Sequence, residues 1–365
     1  MKKKIIQLIF VLLASLLVFV IVDNDAGLYQ KTVGKIVSVQ TTNQQKIEDN
    51  YQNTDLQITQ ALEIQLLNQS KTKVVLTNEV AQSQVTGQVY RVGQQVILQK
   101  IGNHYEIMTL KRDALLAAMV VLFIGILLLL TQLRFSVFLM LSLLLNLLYF
   151  VVVVLVNVNF TPPVLLLFGF LSLVFAASSL LFVIGPNRQM LYALLTTVLT
   201  TLLTFALVFL VLSWTGNAGV HFEYLEYVTQ NPAQFFFVGT MISVLGAIMD
   251  GTGDIVAGLF GLSRQNQLNQ IQLTFRDYVR SGFSIGQEII GTLTNVLFMI
   301  FMAEAFPMLL LLLRNGNSWD YIASVGLNLG LLQTLISAIG IVLAVPVTSF
   351  VTSFGIVFHE KKEGL

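Results

Sequence analysis

Apolar runs near twenty residues long recur along this chain, and they leave few architectures open. They extend from Ile5 to Val22, Ala114 to Leu130, Phe135 to Val156, Val164 to Ile184, Met190 to Ser213, Phe235 to Leu262 and Gly286 to Leu313, and a longer one goes from Tyr321 to Phe358. A hydrocarbon core ~30 Å thick takes about 20 helical residues. Within it, backbone groups must be satisfied inside the segment, and unbroken apolar runs of this length do that as helices. Charged residues make up 11% of the chain, where a soluble domain carries about 25%. The expected fold is an all-α polytopic membrane bundle of about eight transmembrane helices. The last run is too long for one simple span and too short for two, and Pro346 is expected to kink it or end its membrane part.

The one sizeable polar block, residues 24–112, reads differently. Alternating segments such as Gly34–Val39, Gln57–Leu67, Lys73–Thr77, Gln88–Leu98 and Tyr105–Met108 have strand periodicity. They predict a small β-rich domain, a barrel or sandwich, with a hairpin turn at Gly102-Asn103-His104. His104 is read as a polar turn residue. The chain then divides into an N-terminal membrane anchor (1–23), the β-rich domain (24–112) and a seven-span membrane domain (113–365) with a polar core at 249–304. The basic start Met1-Lys2-Lys3-Lys4 before an apolar run also fits a signal peptide. The run is long and no A-x-A site follows, so an uncleaved anchor is favoured.

Basic residues orient the spans. Lys2 to Lys4, Arg134, Arg188, Arg264 and Lys361-Lys362 fall on one side of an eight-span count. The positive-inside rule makes that side cytoplasmic, with both termini inside and the β-rich domain extracytoplasmic. Leu268, Ile271, Phe275 and Val279 have helical spacing, with Arg276 and Arg280 alongside. They suggest an amphipathic helix in the inner interface, or else a tethering loop. Phe222, Tyr224, Leu225 and Tyr227 are expected to rest on the outer headgroup layer.

Several chemistries are excluded. The chain has no cysteine, and therefore no disulfide, thiolate metal site or thiol nucleophile. His104, His221 and His359 lie far apart, so no metal site is assigned. A net charge of +1 gives no nucleic-acid surface. The β-rich block holds no catalytic constellation.

What remains is a set of polar groups inside the sixth and seventh runs. Ionisable side chains there cost ~2.5–3.5 kcal/mol each on insertion scales and persist for a function or a partner. Asp250 and Asp254 are four residues apart, on one helical face, with Thr252 and four nearby glycines. The glycines permit close helix approach or a broken helix lining a cavity. Glu288, Thr292 and Asn295 form one stripe at i, i+4 and i+7. Together these residues would make a carboxylate-lined site between spans six and seven. Its oxygen-rich donors suit protons, alkali cations or hard divalent cations, so a bound cation is the conceivable cofactor. Glu304 is either a further acidic point on an outward path or a residue in a helix seam near Pro307. Asn328, Gln333 and Ser337 could face the same interior, and Asn146 reads as a helix–helix hydrogen bond. Capping or ion pairing with Arg264, Arg276 and Arg280 is the structural alternative for Asp254 and Glu288.

Met249-Asp250 with its flanking glycines, the stretch Ser281-Gly282-Phe283-Ser284-Ile285-Gly286-Gln287-Glu288-Ile289-Ile290-Gly291-Thr292-Leu293-Thr294-Asn295, and Pro307-Met308-Leu309-Leu310-Leu311-Leu312 resemble the YibE/F family of bacterial multipass membrane proteins. The family pattern has Asp where Glu288 stands, which keeps a carboxylate. The resemblance implies a bacterial plasma-membrane protein with an external N-terminal domain. It also implies a shorter sister membrane protein as partner; the bilayer is the other. It supplies no activity. On residue chemistry, a transporter or channel component is the first reading and a membrane scaffold or assembly subunit the second. Gly251-Thr252-Gly253-Asp254 also matches the G-x-G-D of intramembrane aspartyl proteases. Those need a second Asp on another helix, which the spans here lack.

Overall fold

The computed structural model describes residues 2–69, 72–85, 87–102, 104–160, 162–225 and 231–363. Among the described residues, eight helices are long and apolar enough to cross a membrane. The chain separates into two compact units, Met1–Ser136 and Val137–Leu365.

The first unit holds helix α1 (Lys2–Asp23), strands β1 (Thr32–Glu48), β2 (Thr54–Leu66), β3 (Lys73–Ala81), β4 (Gln95–Ile101) and β5 (His104–Leu110), and helix α2 (Asp113–Leu130). The strands form one antiparallel sheet in the order β3-β2-β1-β4-β5. β2 buries every second residue from Ile58 to Leu66, as a strand with one face against a core must. Ile36, Leu62, Ile64, Leu66, Tyr90, Val96 and Leu98 make that core. The sequence predicts barrel or sandwich; the strands hydrogen-bond as a single sheet, not two, and its end strands β3 and β5 come near each other. Residues 88–94, expected as strand, are irregular. There Gly93, at φ 91°, supplies a turn that a β-branched residue would strain. Of the expected hairpin tip, Asn103 lies outside the described residues. His104 is an exposed residue at the head of β5 beside Glu106, at 3.6 Å.

Helices α1 and α2 pack together in this unit, with Ser15 Oγ donating to the Ala118 carbonyl at 2.8 Å. Between their ends sits a polar knot. Lys111, with 1% of its side chain exposed, pairs with Asp25 at 2.9 Å and Asp113 at 3.1 Å. Its ammonium also donates to the Val22 carbonyl and lies 5.4 Å from the centre of the Tyr29 ring. The Tyr29 hydroxyl donates to Asp113, and Gln95 Nε2 donates to the Asp23 carbonyl at 2.7 Å. The carboxylate of Asp113 raises the Tyr29 pKa from 10.0 to about 12.

The second unit contains α3 (Leu133–Phe160, whose first residues belong to the first unit), α4 (Val164–Ile184), α5 (Arg188–Thr215), α6 (Pro232–Leu268), α7 (Phe275–Arg314), the short α8 (Trp319–Tyr321), a π-helical turn (Ile322–Leu327) and α9 (Asn328–Glu363). Asn146 and the α4 serines are bonded as the sequence suggests: its amide donates to Ser179 at 2.7 Å and its oxygen accepts from Ser178 at 2.8 Å. Small residues bring the later helices close. A methyl group on Gly258 would meet Ile285 at 2.6 Å, and one on Gly282 would meet Ser349 Oγ at 2.5 Å. α6 and α9 are thereby drawn onto α7.

Two sequence expectations change here. Asn157 to Phe160, expected as a break, continue α3. The expected amphipathic helix is absorbed: α6 runs on to Leu268, and α7 begins at Phe275 under a Thr274–Asp277 capping box and continues without interruption into the apolar run. α9 passes through Pro346 and on to Glu363. Helices in lipid tolerate such prolines where neighbours satisfy the freed carbonyl. In the loop before α6, Phe222 packs on Phe236 and Phe237, with ring centres 5.5 and 5.8 Å apart. Phe222 is thus half-buried against α6, while Tyr224 is exposed and Tyr227 lies outside the described residues.

Candidate functional site

α6 is unbroken helix through Asp250-Gly251-Thr252-Gly253-Asp254, so the choice left open by the glycines resolves to close packing. Its residues divide by face. Ile248, Gly251, Thr252, Ile255, Val256 and Leu259 are buried. Gly251 and Gly258 lie beneath Ile289 and Ile285 of α7. Thr252 meets Thr197 of α5, hydroxyl to hydroxyl, at 2.7 Å.

Asp250, Gly253, Asp254 and Ala257 recur at i, i+3, i+4 and i+7 and share another face. They line a pocket of about 280 Å³ with Ser179, Leu180, Val183 and Ile184 of α4, and with Gln189 at the head of α5. Gly253 and Ala257 make room, since their short side chains leave the space between the helices open. Both carboxylates are exposed, and neither forms an ion pair or hydrogen bond with a described residue. The pocket thus offers two carboxylates, the Gln189 amide and the Ser179 hydroxyl. Two like charges one helical turn apart repel, so a proton or a cation between them relieves the repulsion.

Glu288, Thr292 and Asn295 do not join this pocket. All three are exposed on α7, and α7 presents Ile285, Ile289 and Leu293 to the glycines of α6 instead. The cavity lined by Asp250 and Asp254 includes none of the three. The reason is angular: Gly251, which touches α7, is turned about 100° from Asp250 around the helix. Glu304 is also exposed. Asn328 ties down a loop, its amide donating to the Gly219 carbonyl at 2.8 Å. Ser337 is buried and donates back to Gln333 at 3.0 Å. No group of three or more His, Cys, Asp or Glu among the described residues could hold a metal ion.

The sequence reading missed a seam of buried hydroxyls. On α5, Thr196, Thr197, Thr200, Thr201 and Thr204 are all buried. On α9, Thr348, Ser349, Thr352 and Ser353 are fully buried, and their hydroxyls have no partner among the described residues. The signal was the pairing of hydroxyl residues four apart, which puts them on one helical face. Most of the α5 hydroxyls donate to the carbonyl one turn back, as Thr197 does to Ala193 at 2.7 Å. A second cluster closes the far end of the unit: Glu360 accepts from both Ser263 and Tyr278 at 2.8 Å.

Eight long apolar helices, one small sheet and a carboxylate pocket facing a bundle seam define a multipass membrane protein with a single appended β domain. The chain belongs to the YibE/F family: residues 27–111 match the YibE/F family N-terminal domain, and residues 119–357 match the YibE/F-like protein family. The first match covers the sheet and the second begins within α2. No curated protein and no solved structure matches the chain.

Proposed function

We propose that this chain is a transporter or channel component of a bacterial plasma membrane, with both termini cytoplasmic and the β domain outside. Its cation or proton site is the pocket of Asp250 and Asp254, with Gln189 and Ser179 as neutral donors. The observation that carries this reading is the pair of carboxylates on one turn of α6, lining a pocket with no counter-ion among the described residues. Charged groups in a membrane helix without a partner mark ion or proton pathways by default. Depth supports it. Thr252, two residues from each aspartate, meets Thr197, which is about 13 Å along α5 from Arg188 at 1.5 Å per residue. Ile184 and Gln189, which flank Arg188, line the same pocket and support access from the arginine-bearing side.

Flux in proteoliposomes across a panel of alkali and divalent cations, with a pH gradient imposed in parallel, tests the proposal. Wild type should move at least one ion, and Asp250→Asn and Asp254→Asn should each lower that flux tenfold or more. Equal flux in wild type and both amide variants would remove the pocket from the transport path.

A further inference from the structure

The polar stripe on α7 needs a different explanation from the pocket on α6. Ser284, Glu288, Gly291 and Asn295 follow at i, i+4, i+7 and i+11, with Gln287 and Thr292 beside them, and all six are exposed. The opposite side of the same helix is occupied. Gly282 and Gly286 lie against Ser349 and Val345 of α9, and Ile285 and Ile289 against Gly258 and Gly251 of α6. The stripe therefore lies on the other side of α7 from these contacts, and only its Gly291–Asn295 edge borders α9.

Its depth makes this costly. Ile289 stands over Gly251, and the neighbouring Thr252 meets Thr197. Glu288 is thus level with a point about 13 Å along α5, within the hydrocarbon rather than at its edge. A carboxyl group and two carboxamides facing lipid there have no acceptable solvent. The Thr292 hydroxyl is satisfied by the carbonyls of Glu288 and Ile289, each at 3.1 Å. Gln287, Glu288 and Asn295 have no partner among the described residues.

A groove adjoins the stripe. About 460 Å³ lies between α7 and α9, walled by Gly291, Thr294, Asn295, Leu335, Ile339 and Val342 among others. The Thr294 hydroxyl at this wall is buried and unpartnered. At Gly291 an added methyl group would touch nothing within 4 Å, so another backbone can come close.

We propose that this face of α7 is an interface within the membrane, and that its occupant is the same face of a second copy of this chain. Residues 281–313 include no Lys, Arg or His. A charge-complementary stranger would have to bring a cation into lipid, at the insertion cost already described. A second copy brings no cation but does bring neutral donors for the carboxyl group and acceptors for the carboxamides. Gln287 and Asn295 supply amide protons, Glu288 supplies acceptor oxygens, and Ser284 supplies both. Two copies in the same orientation, related by a two-fold axis along the membrane normal, set these groups at equal depth, as an isologous contact requires. Small residues for close approach and side-chain hydrogen bonds across the seam are the forces available to helices in lipid.

The absence of cysteine makes the test direct. Single cysteines in the full-length chain at Ser284, Gly291 and Asn295, oxidised in native membranes, should each give a species of twice the chain mass. Leu202→Cys, on an exposed part of α5, should stay monomeric. Only monomer at all three stripe positions would overturn the proposal, as would equal cross-linking at Leu202. So would adducts solely with a protein of another mass. As a second readout, Glu288→Leu with Asn295→Leu should lower the dimer fraction in lipid at least tenfold, while Asn295→Gln keeps it. An unchanged dimer fraction in the double variant also overturns it. Neither readout touches Asp250 or Asp254, so the outcome is separate from the ion-flux experiment.

Discussion

Lys111 and Asp250 are both ionisable residues beside long apolar helices, and their surroundings are opposite in kind. Lys111 is enclosed and fully engaged: two carboxylates, a carbonyl and an aromatic face surround its ammonium. Asp250 lies on a pocket wall with a second carboxylate one turn away and no cation bonded to it. The first arrangement is what a folded chain does to a charge it uses to hold elements together. The second leaves a charge without a counter-charge among the described residues. Chemistry alone does not tell a structural charge from a functional one; the completeness of its partners does.

Breaking the complete cluster should have the largest effect on stability. Lys111→Met leaves Asp25 and Asp113 without their cation, and removing one member of a buried pair costs about 3 kcal/mol. Hydrogen exchange in detergent should show protection falling across α1, the sheet and α2 while the unit of residues 137–365 keeps its own. Uniform loss across both units, or no loss, would mean that the Lys111 knot does not fasten the first unit as described.

A smaller effect is expected at the edge of the same knot. Tyr29→Phe removes the hydrogen bond to Asp113, a loss of about 1 kcal/mol. The pH dependence has a definite sign. The folded-state pKa of Tyr29 is raised from 10.0 to about 12, so its contribution is fully present below pH 10. That contribution fades as pH rises through about 12, because the unfolded chain ionises first. Wild type should therefore lose stability in that alkaline window more steeply than the Phe variant. Parallel alkaline limbs in thermal unfolding would dissociate Tyr29 from the knot.

The two clusters were not equally legible in the sequence. The helices were, because hydrocarbon demands long apolar runs and little else produces them. The strands of the β domain were, because alternation is visible at β2. Which face of a membrane helix looks inward was not. In water the apolar face is the buried one, but in a bilayer both faces are apolar and the moment vanishes. Asp250 and Thr252, two residues apart, thus end on different sides, one in a pocket and one bonded to Thr197. Glu288 and Asp250 looked like partners because they share a depth, and depth is what counting residues can give. Azimuth depends on where Gly251 and Gly258 let α7 settle, which only packing decides. Lys111 escaped notice for a related reason: its partners Asp25 and Asp113 come from the ends of two helices separated by the whole sheet.

The smallest effect on stability should come from the carboxylates themselves, and it is the one that separates the two clusters most sharply. Asp250→Asn and Asp254→Asn retain shape and hydrogen-bonding capacity while removing like-charge repulsion along α6. With no bonded partner to orphan, each should change the apparent unfolding free energy by less than about 0.5 kcal/mol, and the sign should be toward greater stability, since repulsion at i, i+4 is destabilising by a few tenths of a kcal/mol. Thermal unfolding in detergent at fixed pH and salt measures this. A loss above about 2 kcal/mol at either position would reverse the contrast, because it would require a cation or donor already engaged by the wild-type carboxylate and would make Asp250 a structural charge of the Lys111 kind. A small gain at both aspartates with a large loss at Lys111 would mean that the bundle tolerates the pocket's charges without depending on them, as a site that binds and releases an ion requires.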